Sequence, residues 1–233
     1  MTTSILNINE CFGPTVQGEG PHTGQRVMFL RLAGCNLSCS WCDTPYSWDW
    51  KQFDHAAESH AIDSNELSYL LTFPMNAPSR IVVTGGEPML QQRGLLPLMR
   101  ALSGISFDVE TNGTISPLPE VAERVDLFCV SPKMQSARDA ESMRIKIDTL
   151  KQYAALPNAI FKFVVMTDAD LDEADKVATA IGVSSDRVWI MPEGANRATH
   201  LEHLSMFADK IIERGYNLST RLHVLVWDQK RGV

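Results

Sequence analysis

A chain of 233 residues, 44% hydrophobic and 21% charged, has the apolar mass for an ordinary globular core, and its net charge of −7 gives it no general attraction for nucleic acid. No Lys/Arg run makes a local nucleic-acid patch, and no apolar stretch reaches the about 18 residues that argue for a membrane span. The start "MTTSILNINECFG" lacks the basic opening and apolar run of a secretory signal, so a cytoplasmic protein is expected.

The first expected strand is Val27–Gly34, "VMFLRLAG". After it come a cysteine-rich loop and a polar segment without strong period, Pro45–Ala61. There Tyr46, Trp48 and Trp50 alternate, as an aromatic lid over the core would, and His55 and His60 read as solvated. A helix is predicted over Asn65–Phe73 with Ser64 as N-cap, then a strand over Arg80–Gly86 and a helix over Leu95–Ser103. Strands Phe107–Thr111 and Leu127–Ser131 flank a short helix, Pro119–Arg124. A long helix, Arg138–Ala154, leads to strand Phe161–Val165, where Lys162 points opposite to Phe161 and Phe163. Helix Leu171–Ile181, strand Arg187–Met191, helix Thr199–Arg214 capped by Thr199, and strand Leu222–Trp227 complete the series.

Repeated alternation of strand and helix implies an α/β fold with a mostly parallel sheet and crossovers of one hand. About six or seven strands fall short of an eight-unit barrel, so a partial (β/α) barrel or an open sheet is expected. In either, the chemistry belongs at the C-terminal strand ends. The cysteine loop, "TGGEP", "ETNGT" and "SPK" follow four successive strands and would share that rim.

Three of the five cysteines, Cys35, Cys39 and Cys42, lie in "GCNLSCSWCDT". They are too close together for a disulfide framework and read as metal ligands. Structural zinc normally takes four Cys/His ligands in two spaced pairs, and no second C-x2-C exists here. Iron–sulfur clusters of the ferredoxin type use four thiolates, so three leave one iron open for a ligand that is not protein. Cys11 and Cys129 read as small residues in or near the core.

C-x3-C-x2-C after the first strand, with Trp41 before the last cysteine and "GGE" (Gly85, Gly86, Glu87) after the second strand, resembles the radical S-adenosyl-methionine superfamily. The resemblance implies a [4Fe-4S] cluster on the three cysteines, with S-adenosyl-methionine chelating the fourth iron. It also implies that the glycines let backbone approach that ligand, and that the Glu87 carboxylate accepts from its ammonium. "TVQGEGPHTGQRVMFLRLAGC", "CDT", "TGGEP", "ETNGT", "SPK" and "RLHVLVWDQKRGV" together resemble the 7-carboxy-7-deazaguanine synthase family, from about Glu10 to the C-terminus. The match is weakest over 45–75 and 135–185, which implies one domain, 1–233, with about 45–75 as a variable insertion.

That family converts 6-carboxy-5,6,7,8-tetrahydropterin to 7-carboxy-7-deazaguanine with loss of ammonia, using Mg2+. The resemblance implies substrate contacts at Val16, Gln17, Gly18, Glu19, Arg31, Thr84, Glu110, His223 and the Val233 carboxylate. It implies Mg2+ on Thr44, and cofactor contacts at Trp41, Asn112, Ser131, Pro132 and Lys133. Arg31 suits a bidentate grip on a carboxylate, and Gln17 and Glu19 suit a pterin edge. Expected partners are the small-molecule pterin, a flavodoxin- or ferredoxin-type reductant and a second copy in a homodimer, with no nucleic acid and no membrane. Two other classes remain open from the residues: a glycyl-radical activating enzyme, and a non-catalytic iron–sulfur or zinc protein.

Overall fold

In the computed structural model, which describes residues 5–72 and 78–233, one sheet carries the chain from end to end. Its strands are β1 (Ile5–Val16), β2 (Arg26–Leu32), β3 (His60–Asp63), β4 (Arg80–Gly85), β5 (Ser106–Thr111), β6 (Leu127–Val130), β7 (Ala159–Val165), β8 (Val188–Pro192) and β9 (Asn217–Leu218). The order is β3-β1-β2-β4-β5-β6-β7-β8-β9. From β2 to β9 every pairing is parallel, whereas β1 runs antiparallel to both β2 and β3. The sheet does not close, because β3 and β9 are its edges. The expected partial barrel is therefore the observed one.

The helices are α1 (His55–Glu58), α2 (Ser64–Thr72), α3 (Gln92–Ala101), α4 (Pro119–Ala122), α5 (Glu141–Arg144), α6 (Ile147–Ala154), α7 (Asp168–Ile181), α8 (Arg197–Glu213) and α9 (Leu222–Trp227). Among the described residues none is long and apolar enough to cross a membrane. Helices α3, α6, α7 and α8 cover one face of the sheet with Leu95, Leu98, Leu150, Leu171, Ala174, Phe207 and Ile211, all fully buried. The strands meet them with alternate residues: Leu30 and Leu32, Ile81 and Val83, Phe107 and Val109, Phe128 and Val130, Phe161 and Phe163. Each such side chain contributes about 1.5–3 kcal/mol relative to exposure. The intervening residues point to the concave face: Arg31, Thr84, Glu110, Cys129, Lys162 and Met191. A one-residue slip in any strand would exchange the two sets, so the core fixes the register of the polar face.

Four expectations change. Leu222–Trp227 is helix α9 and not a strand, since a short apolar run suits either conformation and no strand among the described residues pairs with it. Arg138–Ala154 is not one helix. Arg138 takes a left-handed φ of 68°, and the chain re-enters helix only as α5 and α6. Thr199 lies inside α8; the cap is Asn196, whose side chain accepts from Thr199 N. Strands β1, β3 and β9 were not expected. The sequence of β1 breaks its own alternation, and its two register shifts take up the irregularity, one of them around Gly13 and Pro14. Phe73, the end of the helix expected over Asn65–Phe73, lies outside the described residues.

Candidate active site

The cysteine loop leaves β2 and is held on three sides. Gly34 N donates to Ser47 O at 2.7 Å, closing the loop's base. Asn112 Nδ2 donates to Asn36 Oδ1 at 2.9 Å, and Asn36 Nδ2 to Thr114 Oγ1 at 2.8 Å. On the far side Ser38 N and Oγ donate to Asp139 Oδ1, and Ser40 N donates to Ala137 O. The 136–139 segment is itself fixed by Asp170, which accepts from Ser136 N and caps α7 in a reciprocal box with Thr167.

Cys35, Cys39 and Cys42 all line one cavity at the mouth of the open barrel. Burial pushes the Cys35 thiol up to about 11 and the Cys39 thiol up to about 12. Such thiols ionise on binding metal, which expels the proton. Among the described residues, no three His, Cys, Asp or Glu side chains converge as a single ion requires. A four-iron cluster instead takes each thiolate on a separate iron. The donor set therefore fits a cluster better than zinc.

The "TGGEP" turn packs against the base of this loop. A Cβ on Gly86 would lie 2.0 Å from Gly34 O, and one on Gly85 would lie 2.2 Å from Leu32 O. Glu87 N donates to Gly34 O at 2.9 Å and Gly86 N to Leu32 O at 3.1 Å. The Glu87 side chain departs from expectation. It is fully buried and does not line the cavity. Its Oε1 accepts from Met89 N and Thr111 Oγ1, and its Oε2 from Asn112 N. The turn directs it under the sheet end, where it ties β4 to β5, and the backbone of Gly85 and Gly86 faces the cavity in its place. Burial raises its pKa.

Ser131 and Lys133 line the cavity; Pro132 does not. Lys133 Nζ sits 5.8 Å from the centre of the Trp41 ring and donates to Ser131 Oγ at 3.1 Å. Trp41 Nε1 donates to Ser136 Oγ. Asn112 and Thr44 also line the cavity, and Thr44 Oγ1 lies 3.7 Å from Cys42 Sγ.

The Gln17–Gln25 connection between β1 and β2 fills the base of the concave face. It is closed by Gln17 N to Gln25 O at 2.8 Å and anchored by His22 Nδ1 on Asp108 at 2.6 Å. Gln17 Nε2 and Thr84 Oγ1 donate to the two oxygens of Glu110, at 3.1 and 2.8 Å. Gln17 Oε1 accepts from Glu19 N. Glu19 Oε2 is paired with Lys162 Nζ and Oε1 with Arg221 Nε at 3.0 Å. Arg221 also pairs with Asp43 and donates to Gly194 O at 3.1 Å. Burial alone would raise the Glu19 carboxyl, but Lys162 and Arg221 outweigh it and hold the group well below the usual carboxylate range.

Arg31 lines the same cavity with its Nε engaged by Glu10 Oε1 at 2.7 Å. Val16 and Val233 line it too. His223 reaches it from α9 and not from a strand, and burial lowers its pKa. Gly18 does not line it; a Cβ there would lie 2.0 Å from His223 Nδ1, so the glycine makes room for the imidazole. Several lining residues were not among the expected site residues, Arg221, Lys162 and Cys129 among them. Cys129 alternates with Phe128 and Val130, and that alternation was the signal that it faces away from the core. Its charged neighbours are Lys162, Glu110, Glu19 and Lys133, so it lies between the substrate side of the cavity and Lys133.

Residues 16–118 match a family model described as a 4Fe-4S single cluster domain. Among curated relatives, the 7-carboxy-7-deazaguanine synthase of Pyrobaculum aerophilum is 36% identical over 99% of this chain and 98% of its own. Those of Hyperthermus butylicus and Bacillus subtilis are 33% and 30% identical, over 96% and 98% of this chain and 93% and 98% of their own. The crystal structure of QueE from Escherichia coli is 26% identical, with a TM-score of 0.72 over 94% of this chain and 95% of that one. Streptococcus suis SuiB bound to S-adenosylmethionine shares the fold at a TM-score of 0.51 and 15% identity, over 79% of this chain and 44% of that one.

Proposed function

The chain belongs to the 7-carboxy-7-deazaguanine synthase family, and on that premise we propose how its cavity carries out the conversion of 6-carboxy-5,6,7,8-tetrahydropterin to 7-carboxy-7-deazaguanine with loss of ammonia. The observation that carries the reading is that three thiols and a hydrogen-bonded Gln17–Glu110–Thr84 chain line one cavity. One end has the donors for a [4Fe-4S] cluster, and the other has the acceptors and donors for a heterocycle edge.

Cys35, Cys39 and Cys42 would hold the cluster, and the backbone of Gly85 and Gly86 would lie against the S-adenosyl-methionine. When bound, the pair would supply the one-electron chemistry that starts hydrogen abstraction from the substrate. Trp41, Asn112, Ser131 and Lys133 border the cofactor, with Pro132 shaping their turn. Glu87 acts from beneath by fixing Asn112. Gln17, Glu19, Glu110 and Thr84 read the pterin edge, with Val16 and Gly18 as its backbone wall. Glu19 stays an ionised acceptor because Lys162 and Arg221 hold it so. Arg31 would grip the substrate carboxylate with the guanidinium atoms that Glu10 leaves over, and Thr44 would hold Mg2+, which would supply charge neutralisation for that carboxylate. His223, neutral at pH 7, and Val233 border the substrate. Enclosure between the 17–25 connection and α9 excludes water from the reacting centre.

One sheet running through the chain supports a single domain over 1–233, with 45–75 as an insertion. Five free thiols suit a reducing cytoplasm. A flavodoxin- or ferredoxin-type protein supplies the electron, and a homodimer is the working form, both by likeness to the family. A glycyl-radical activating enzyme must admit a protein loop, whereas the 17–25 connection occupies the base of this cavity. The test is anaerobic turnover of the carboxypterin with S-adenosyl-methionine and reductant, with and without Mg2+. Product formation is expected, and no product from protein carrying a full cluster overturns the substrate assignment.

A further inference from the structure

Trp48 lies outside the cysteine loop in sequence and ends upon it in space. Ser47, fully buried, accepts from Gly34 N through its carbonyl and donates from its hydroxyl to Thr44 O at 2.8 Å. The tight turn Pro45–Ser47, closed by Trp48 N to Pro45 O at 3.1 Å, therefore returns the chain to the base of the loop. This delivers the next side chain to the last cysteine. Trp48 Nε1 donates to Cys42 Sγ at 3.3 Å, and the indole lines the cavity. An indole N–H only donates, so the direction of this bond is fixed. Cys35 Sγ receives a backbone N–H, from Leu37 at 3.4 Å, and the hydroxyl of Thr44 stands 3.7 Å from Cys42 Sγ.

We propose that Trp48 sets the reduction potential of the cluster through its N–H···S bond to Cys42. This rests on the reading of Cys35, Cys39 and Cys42 as cluster ligands. One-electron reduction adds a negative charge that is shared with the thiolate sulfurs. A donor aimed at one of those sulfurs binds the reduced form more strongly than the oxidised form. Hydrogen bonds to sulfur and exclusion of solvent are the protein's main means of adjusting such a potential, and the indole provides both. The bond raises the potential, which eases the reduction on which turnover depends. It assigns a function to one aromatic of the 45–75 segment. Trp50, two residues on, is exposed and packs edge-on against His55 instead.

The experiment compares the wild type with Trp48→Phe, each reconstituted anaerobically, by iron analysis and by redox titration read from the EPR signal of the reduced cluster. Phe keeps an aromatic ring at the site and removes the N–H. Iron content stays equal. At the potential that half-reduces the wild type, the ratio of reduced to oxidised cluster in the variant falls roughly three- to tenfold. A tenfold change corresponds to 59 mV for a one-electron couple. An unchanged midpoint at full iron content overturns the proposal. A second measurement stands if the variant loads poorly. Wild type carrying 15N-labelled indole shows a nitrogen coupling in pulsed EPR of the reduced cluster, which persists in Trp50→Phe. Absence of that coupling in the wild type overturns the proposal. A wild type that binds no four-iron cluster overturns the cysteine assignment and this inference together, whereas a normal cluster with unshifted potential overturns only the role of Trp48.

Discussion

Glu19 and Lys162, 143 positions apart in the chain, form an ion pair within the concave face of the sheet, and Arg221 takes the remaining oxygen of the same carboxylate. Removing one partner from a buried pair leaves the other desolvated without compensation, which costs about 3–5 kcal/mol. Lys162→Met is expected near the lower end, a loss of about 3 kcal/mol, because Arg221 still holds Glu19 Oε1. Urea unfolding at pH 7 measures it. The double variant Glu19→Gln/Lys162→Met should recover part of the loss, and full additivity would show that the pair is not coupled.

Arg221 spans Glu19 Oε1, Asp43 and Gly194 O with one planar guanidinium. A single ammonium cannot hold three partners at those positions. Arg221→Lys should therefore keep its four irons and lower kcat/KM for the carboxypterin by about tenfold or more, equivalent to about 1.4 kcal/mol. Iron analysis beside the anaerobic assay separates this from loss of the cluster.

Gly86→Ala places a methyl 2.0 Å from Gly34 O and 3.0 Å from Cys35 N. Both obstacles are backbone, so the cysteine loop must move. Iron uptake during anaerobic reconstitution should fall severalfold, and uptake equal to the wild type would show that the loop yields without cost.

His200 is fully buried, and its Nε2 accepts from Arg221 N at 2.9 Å. Burial lowers its pKa from 6.5 to about 4. Between those values the unfolded chain binds a proton that the folded chain refuses, so stability falls as pH drops from about 6.5 towards about 4. At pH 5 the penalty relative to pH 7 is about 2 kcal/mol. Comparing urea unfolding of the wild type and His200→Gln at the two pH values isolates this slope, which the variant should lack.

The cofactor end of the site was legible because its chemistry is local. Cys35, Cys39 and Cys42 sit in one loop, and Gly85 and Gly86 in another, so residue type and spacing suffice. The substrate end was legible in part. Gln17 and Glu19 stood out in a Gly-flanked loop, but their partners did not. Arg221 lies just before a segment read as a strand, and nothing local marks an arginine whose partners are at 19, 43 and 194. The same limit hid β1, whose broken alternation shows as a strand only where Ile5–Ile8 pairs with β3 and Ile8–Val16 with β2. Glu87 was found but assigned the wrong neighbours, because a motif shows which residue is present and not which way a turn directs it.

The Gln17–Gln25 connection also has a consequence in time. The cysteine loop, its glycine turn and the 136–139 segment on which it docks have all left the ribosome after about the first 140 residues, although Asp170, which fixes that segment, has not. The partners that fix the connection's own carboxylate, Lys162 and Arg221, and the backbone bond from Leu222 N to Gly18 O come only from the last third of synthesis. A nascent chain thus has its metal ligands and the Gln17–Glu110–Thr84 chain before it has the two cations that hold the Glu19 carboxylate.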